Sequence, residues 1–184
     1  MNQQNSQFLF CIKCKGELNL EILNESSEIN EGFLRCKKCK LKFPIISKIP
    51  LILENIHQFI ENRPSLGGLL LKLSVTKSMK LFIKQILSKI KNNNNDFFQT
   101  EKRWTNIYLT NKNSLFYKTI KSHMTQIPPK SFVIEYGSSI GIISNTLGKK
   151  HEHVFGIDTS FSALLEAKKK SPKNCEYILS DILQ

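Results

Sequence analysis

The sequence predicts an α/β protein in three parts: a small β module that binds metal, a helical linker, and a partial parallel sheet with its helices. Two observations lead to this prediction. Four cysteines are paired near the N-terminus, and apolar runs alternate with helical periods in the second half. The 184 residues, 40% of them hydrophobic, leave room for two unequal modules. We place the boundaries at 1–55, 56–95 and 96–184, with the asparagine run at 92–95 as the linker into the last part.

The four cysteines form two C-x2-C motifs separated by twenty-one residues. They are Cys11, Cys14, Cys36 and Cys39. This spacing is typical of a structural Zn²⁺ site with four thiolate ligands. We expect a short strand over 8–12 to bring in the first pair, and Gly16 to relax the turn after Cys14. In a reducing compartment such pairs are metal ligands more often than disulfides, so the pattern predicts bound zinc.

The N-terminus is polar, and the sequence has no apolar stretch of the length that spans a membrane. We therefore expect a cytoplasmic protein. The net charge of +12 favours attraction to nucleic acid or to anionic surfaces, but the lysines are spread along the chain without interleaved aromatic residues. We expect this attraction to be weak. Residues 64–91 read as one or two basic amphipathic helices, which pack on a protein core or lie on an anionic membrane.

Residues 43–53 contain Phe-Pro-Ile and then Ile-Pro-Leu-Ile-Leu directly after the second cysteine pair. With the two motifs, residues 9–53 resemble the zinc-ribbon family that includes the small activator subunit of tRNA, rRNA and protein methyltransferases. The resemblance implies a zinc ribbon. It also implies one alternative function, a non-catalytic adaptor that activates a separate methyltransferase through residues 43–53.

The second half of the chain predicts three parallel strands that each end in an acid or lead to one. The predicted strands are 132–134, 154–158 and 175–180. Glu135 directly follows the first strand, Asp158 ends the second, and Asp181 follows the third. A glycine turn at 137–141 leads into a helix over 142–149, and a helix is expected over 161–170. Helices over 97–124 are expected to cover the sheet, with contact of Arg103, Trp104 and Tyr108 to the cofactor cleft as the alternative. Ligands of open α/β sheets bind at the carboxyl ends of their strands.

This order resembles the class I S-adenosylmethionine-dependent methyltransferases over 131–184. The resemblance implies the first half of a Rossmann-like methyltransferase sheet and S-adenosylmethionine as cofactor. The resemblance implies that Glu135 and the turn residues Gly137, Ser139 and Gly141 hold the methionine part of the cofactor. It also implies that Asp158 binds the ribose and that Asp181 binds the adenine amine. Ser139 replaces the usual middle glycine.

The family's sheet has seven strands, whereas this chain predicts three. We therefore expect a truncated domain whose first strand is an open sheet edge, and a partner chain that completes the sheet. The leading function is a methyltransferase with a fused zinc ribbon, possible acceptors being a small molecule, a lipid, RNA or a protein. The catalytic residues are unknown. The alternatives are the adaptor and a basic module that binds RNA or a membrane surface.

Overall fold

The computed structural model describes residues 1–90, 95–124, 126–129 and 132–181. They divide into two compact units, Met1–Thr100 together with the segment from Ser180, and Glu101–Leu179. The mixed α/β class is confirmed: an antiparallel sheet with a cysteine cluster comes first, then helices, then a three-stranded parallel sheet. The asparagine run predicted at 92–95 lies mostly outside the described residues, as does Ser131, where the predicted methyltransferase resemblance begins.

The sheet of the first unit has four antiparallel strands in the order β1-β2-β3-β4. They are β1 (Leu18–Glu25), β2 (Ile29–Cys36), β3 (Lys42–Ile46) and β4 (Ile49–Pro50). Phe33, Phe43 and Ile45 are fully buried and form the centre of this unit's core. The strands therefore enclose an apolar core next to the cysteines at Cys36 and Cys39.

The strand predicted over 8–12 is wrong. A 3-10 helix, Gln3–Phe8, occupies the first part, and only a single bridge joins Phe10 to Glu17. The chain cannot stay extended here because it turns back at once, with the Lys15 N–H donating to the Cys11 carbonyl at 2.9 Å. The turn therefore takes the residues that the pattern assigned to a strand.

Three helices pack in the first unit: α1 (Ile56–Glu61), α2 (Pro64–Leu73) and α3 (Lys77–Leu87). The fully buried carboxylate of Glu31 on β2 accepts hydrogen bonds from the backbone N–H groups of Val75 and Thr76. The rings of Phe33 and Phe82 meet edge to face with centroids 5.0 Å apart. The segment expected as a linker thus packs on the N-terminal sheet.

The second unit carries a parallel sheet in the order β5-β6-β7. Its elements are α4 (Phe97–Thr110, from Glu101 on), α5 (Leu115–Met124), β5 (Phe132–Tyr136), α6 (Ile142–Leu147), β6 (His153–Asp158), α7 (Phe161–Lys169) and β7 (Cys175–Leu179). Each strand leads through a turn and a helix to its parallel neighbour. This arrangement sets the carboxyl ends of the three strands at one edge, as expected.

The two outer strands of this sheet differ in exposure. Every residue of β7 is buried, and the Tyr177 hydroxyl donates to the Asn145 side-chain oxygen at 2.9 Å. On β5, by contrast, Phe132, Ile134 and Tyr136 are 47%, 47% and 62% exposed. In the described part of the chain no strand pairs with the outer edge of β5.

Across the described residues, none of the helices combines the length and the apolar character needed to cross a bilayer.

Candidate functional sites

The four predicted cysteines come together in the first unit. The Sγ atoms of Cys11 and Cys39 are 3.5 Å apart, those of Cys14 and Cys36 are 3.4 Å apart, and all four lie within 4.8 Å of one another. At a Zn–S distance of about 2.3 Å, tetrahedral ligands lie about 3.8 Å from each other. The sulfur positions therefore fit a four-coordinate zinc ion.

Two matching turns hold the cysteine pairs, and their left-handed residues are not glycines. Lys15 has φ 56° and Lys40 has φ 63°, so each turn reverses at the residue after its second cysteine. The role expected for Gly16 is therefore wrong. Gly16 is instead needed for space, because a Cβ there would come within 3.2 Å of the Cys36 sulfur and 3.3 Å of the Cys14 sulfur.

The two buried thiols of the cluster differ in protonation. Burial raises the pKa of Cys11 to about 12, whereas hydrogen bonds from neighbouring backbone and cysteine groups lower the pKa of Cys36 to about 6 against the effect of burial. The Cys39 N–H lies 3.4 Å from the Cys36 sulfur and donates to it. Such N–H donors stabilise thiolates, and a divalent cation among four sulfurs supplies the remaining charge. The donor set is the one that zinc prefers.

The glycine turn of the second unit lies at the carboxyl end of β5. Gly137, Ser139 and Gly141 have φ of 71°, 48° and 71°, so three left-handed residues reverse the chain between β5 and α6. The N–H groups of Gly137 and Ser138 donate to the Ile157 carbonyl at 2.8 and 3.1 Å. The turn is thereby fastened to the end of the neighbouring strand β6.

Gly141 is fixed by packing as well as by its backbone angles. A Cβ at Gly141 would meet the Tyr177 hydroxyl at 2.3 Å and the Ala167 Cβ at 2.7 Å. At Gly137, a Cβ would meet nothing within 4 Å. Gly141 therefore brings the start of α6 close to β7 and α7, while the space above Gly137 is open.

Asp158 holds the turn from the end of β6. Its Oδ2 accepts the Ser139 N–H at 2.8 Å, and its Oδ1 accepts the Ser160 N–H at 2.8 Å. Each carboxylate oxygen has two lone pairs, so both retain one acceptor position for a further donor. Asp158 therefore joins the two turns at the sheet edge and still offers charge to a ligand.

Glu135 has an unusual protonation for a carboxyl group. Burial raises its pKa to about 7, against hydrogen bonds from Ser144 that lower it, and the nearby charge of Asp158 raises it further. The Ser144 hydroxyl donates directly to Oε2. At neutral pH this side chain is thus poised between its two forms, and a cationic group beside it would favour the carboxylate.

A cavity of about 220 Å³ opens over the turn. Three of the predicted site residues line it: Glu135, Gly137 and Ser139. Tyr108 of α4 and residues of α5 also line it. The α5 residues are Phe116, Tyr117 and Ile120. The sequence did not identify these three residues as part of a site, because aromatic and apolar residues at helical spacing are equally typical of a core.

Two serine hydroxyls beside this cavity are buried without a hydrogen-bond partner in the described structure. They are the Oγ atoms of Ser138 and Ser139, and Ser138 is only 3% exposed. Both residues line the cavity. Buried hydroxyls without hydrogen-bond partners destabilise the fold, so a polar ligand that forms hydrogen bonds with both serines would remove this cost.

The other predicted site residues do not line the cavity. Gly141 and Asp158 shape the turn. Asp181 comes two residues after the end of β7 and is assigned to the first unit with Ser180. Arg103 and Trp104 are also absent from the lining, whereas Tyr108 belongs to it.

Comparison with known proteins finds partial structural likeness only. No protein-family profile matches the sequence, and no curated protein matches it. The chain is similar to Haemonchus contortus phosphoethanolamine N-methyltransferase 1, solved with phosphoethanolamine and S-adenosylhomocysteine, with a TM-score of 0.33, 16% identity and coverage of 46% of this chain. It is also similar to the methyltransferase domain of bacterial CtHen1-C, with a TM-score of 0.31, 25% identity and coverage of 40% of this chain.

The chain spans 21% and 42% of the lengths of these two proteins. Both structural neighbours are methyltransferases.

Proposed function

We propose that this chain binds S-adenosylmethionine at the glycine turn and takes part in methyl transfer. The observation that supports the proposal is the pair of buried, unpartnered hydroxyls of Ser138 and Ser139, two residues that line a cavity together with Glu135. The residues fit an amphoteric ligand with a cationic amino group, several hydroxyls and a planar base. Bound there, S-adenosylmethionine would supply an electrophilic methyl group for an acceptor nucleophile.

The chain's own residues would divide the binding. Glu135 would hold the amino group of the methionine part, because a cation beside a carboxyl group of pKa about 7 favours the carboxylate. Asp158 would accept the ribose hydroxyls with its remaining lone pairs. A role for Asp181 at the adenine amine stays a prediction of the resemblance alone. Methyl transfer of this kind depends on positioning, and it requires no covalent intermediate with the protein.

We also propose a structural Zn²⁺ bound by Cys11, Cys14, Cys36 and Cys39, in a chain that functions in the cytoplasm. The sulfur geometry and the donor set support the metal. Zinc content is tested by mass spectrometry of the intact, folded chain. We expect one zinc per chain in the wild type and in Cys175→Ala, which removes a buried thiol outside the cluster, and none in Cys36→Ser. Zinc retained by Cys36→Ser at full stoichiometry would contradict the site.

The expected partner chain stays a proposal. Its support is the edge position of β5, whose outer backbone groups an added strand would pair with. Phe132, Ile134 and Tyr136 also lie exposed on one face of this strand, where a further packed element would cover them. The acceptor of the methyl group is a small molecule, a lipid, RNA or a protein.

The cofactor site is tested by calorimetric titration of the zinc-loaded chain with S-adenosylhomocysteine. The product is used because it occupies the site without an acceptor. We expect one-to-one binding in the micromolar range. Ser138→Ala removes a hydroxyl that bonds to nothing in the described structure, so it should leave the fold as stable or more stable and yet weaken binding roughly tenfold.

Ser78→Ala on the exposed surface of α3 is the matched control and should bind like the wild type. Two results would overturn the proposal. One is no binding by folded, zinc-loaded wild type at millimolar ligand, which would favour the adaptor. The other is unchanged affinity in Ser138→Ala, which would place the ligand elsewhere.

A further inference from the structure

One face of helix α3 is cationic and open to solvent. Lys77, Lys80 and Lys84 are exposed, and Leu81 lies among them with 50% of its side chain exposed. Positions i, i+3, i+4 and i+7 lie on one side of an α-helix. We call these four residues the lysine face. The opposite side of α3 is core, since Met79, Ile83 and Ile86 are 0%, 0% and 2% exposed.

The charge of the lysine face is not balanced within the protein. From residue 56 to residue 90 the sequence has six basic residues and one acid, Glu61. In the described structure the side chains of Lys77, Lys80 and Lys84 make no hydrogen bond or ion pair. Two other lysines of the first unit are paired by contrast, Lys37 with Glu17 and Lys48 with Glu28. The lysine face is therefore complementary to a polyanion.

The orientation of α3 is rigidly fixed by the rest of the first unit. Thr76 caps the helix by accepting the Met79 N–H at 3.2 Å, and the buried Glu31 carboxylate accepts the N–H of Thr76 itself at 2.9 Å. The helix therefore presents its lysines in a fixed row. Binding to a partner would not require the backbone of α3 to become ordered, so the entropic cost of association would be smaller.

The composition of the face favours a lipid surface over a nucleic acid. Aliphatic side chains are exposed within the face and just before the helix: Leu81 lies in the face, and Val75, which precedes α3, is 59% exposed. Nucleic-acid surfaces prefer arginine for phosphates and aromatic rings for bases, and the exposed residues of α3 include neither. Lysines flanking aliphatic side chains are instead typical of helices that lie on membranes.

We propose that the lysine face of α3 docks the chain on an anionic membrane surface. The three ammonium groups would lie at the level of the lipid phosphates, and Leu81 and Val75 would enter the headgroup region. The contact is peripheral and reversible. It goes beyond the proposed function because it needs neither the cofactor nor the glycine turn, and it would determine where in the cell the protein acts.

The test is flotation of the zinc-loaded chain with vesicles of phosphatidylcholine alone and with about 30% phosphatidylserine. We expect binding only to the anionic vesicles, with loss at high salt. A lysine near such a surface contributes roughly fivefold in affinity, so the triple variant Lys77→Gln, Lys80→Gln, Lys84→Gln should bind roughly a hundredfold more weakly. Glutamine has a helix propensity close to that of lysine, so α3 should remain folded.

A control variant with the same change in net charge separates the face from general electrostatics. Lys149→Gln, Lys150→Gln, Lys173→Gln changes three exposed lysines of the second unit and should bind like the wild type. Leu81→Ser should weaken binding severalfold without changing the charge. Circular dichroism of each variant should match that of the wild type.

Three results would overturn the proposal. The first is equal binding to neutral and anionic vesicles, and the second is an equal loss of binding in both triple variants. The third is tight binding of a short oligouridine that the α3 triple variant alone abolishes, with no vesicle binding, which would assign the face to RNA. Because S-adenosylhomocysteine binding is measured separately, failure here leaves the proposed cofactor site intact.

Discussion

Glu135 makes stability depend on pH in a definite direction. Burial raises its pKa in the fold to about 7 from an ordinary value of 4.5. The folded state therefore binds this proton more tightly than the unfolded state does. The resulting stabilisation is fully present below about pH 4.5 and is lost as the pH rises through about 7, by at most roughly 3 kcal/mol.

The measurement is urea unfolding of the wild type and of Glu135→Gln at several pH values. Glutamine resembles the neutral acid, so the stability of the wild type relative to the variant should fall from pH 5 to pH 8. Glu152→Gln, at an exposed position, should show no such trend. A difference that does not change with pH would show that the fold leaves the Glu135 pKa near its ordinary value.

The two glycines of the turn should respond differently to the same substitution. Gly137→Ala meets no atom within 4 Å, so it should cost only the strain of a left-handed alanine, about 1–2 kcal/mol. Gly141→Ala adds a collision with Tyr177 and Ala167 and should cost more than about 3 kcal/mol. Thermal unfolding of both variants checks this order. Equal losses would mean that α6 does not approach β7 as closely as described.

At this scale, the sequence identifies residues whose role is local. The cysteine spacing predicts the cluster because each C-x2-C pair forms its own turn. Ser138 could not be chosen in the same way, because its significance lies in being buried without a partner. The same holds for Phe116, which reaches the cavity only through the packing of α5 on α6.

Helix α7 and strand β7 are linked by a buried ion pair. Lys168 Nζ lies 3.3 Å from Glu176 Oε2, and the two side chains are 6% and 1% exposed. Lys168→Met leaves the Glu176 carboxylate buried without this cation and should cost about 3–5 kcal/mol. Adding Glu176→Leu should recover most of the loss, because a well-packed apolar pair replaces a buried ion pair at little cost.

An exposed ion pair on the same helix is the control. Lys169 and Glu166 lie 2.6 Å apart, with Lys169 63% exposed, and Lys169→Met should cost less than about 1 kcal/mol. Chemical unfolding of the variants gives the comparison. If Lys168→Met were as mild as Lys169→Met, the buried pair would not hold α7 to β7.

Elements were predictable where their patterns are uninterrupted. The parallel strands were predicted within two residues of β5, β6 and β7, since each is a short apolar run between turn residues. Strands β1 and β2 were not. Within β2, Gly32 and the buried Glu31 interrupt the apolar pattern, and Glu31 is buried because it bonds to backbone N–H groups some forty residues away. No local rule shows such a contact.

For the whole molecule, zinc should stabilise one unit and leave the other. Metal binding to such a cluster supplies on the order of 10 kcal/mol, more than the small N-terminal sheet gains from its core. A chelator should therefore remove hydrogen-exchange protection from β1 and β2 before it affects β6 and β7. Protection of β2 that survives complete zinc removal would contradict a structural role for the metal.

The central claim is that S-adenosylmethionine binds at the glycine turn of the second unit, and amide chemical-shift mapping tests it most directly. The zinc-loaded, isotope-labelled chain is titrated with S-adenosylhomocysteine. We predict saturable shifts at the amides of Gly137, Ser138 and Ser139, with the amides of the cysteine cluster unchanged. A well-dispersed spectrum in which millimolar ligand moves none of the turn amides, or moves only others, would contradict the claim.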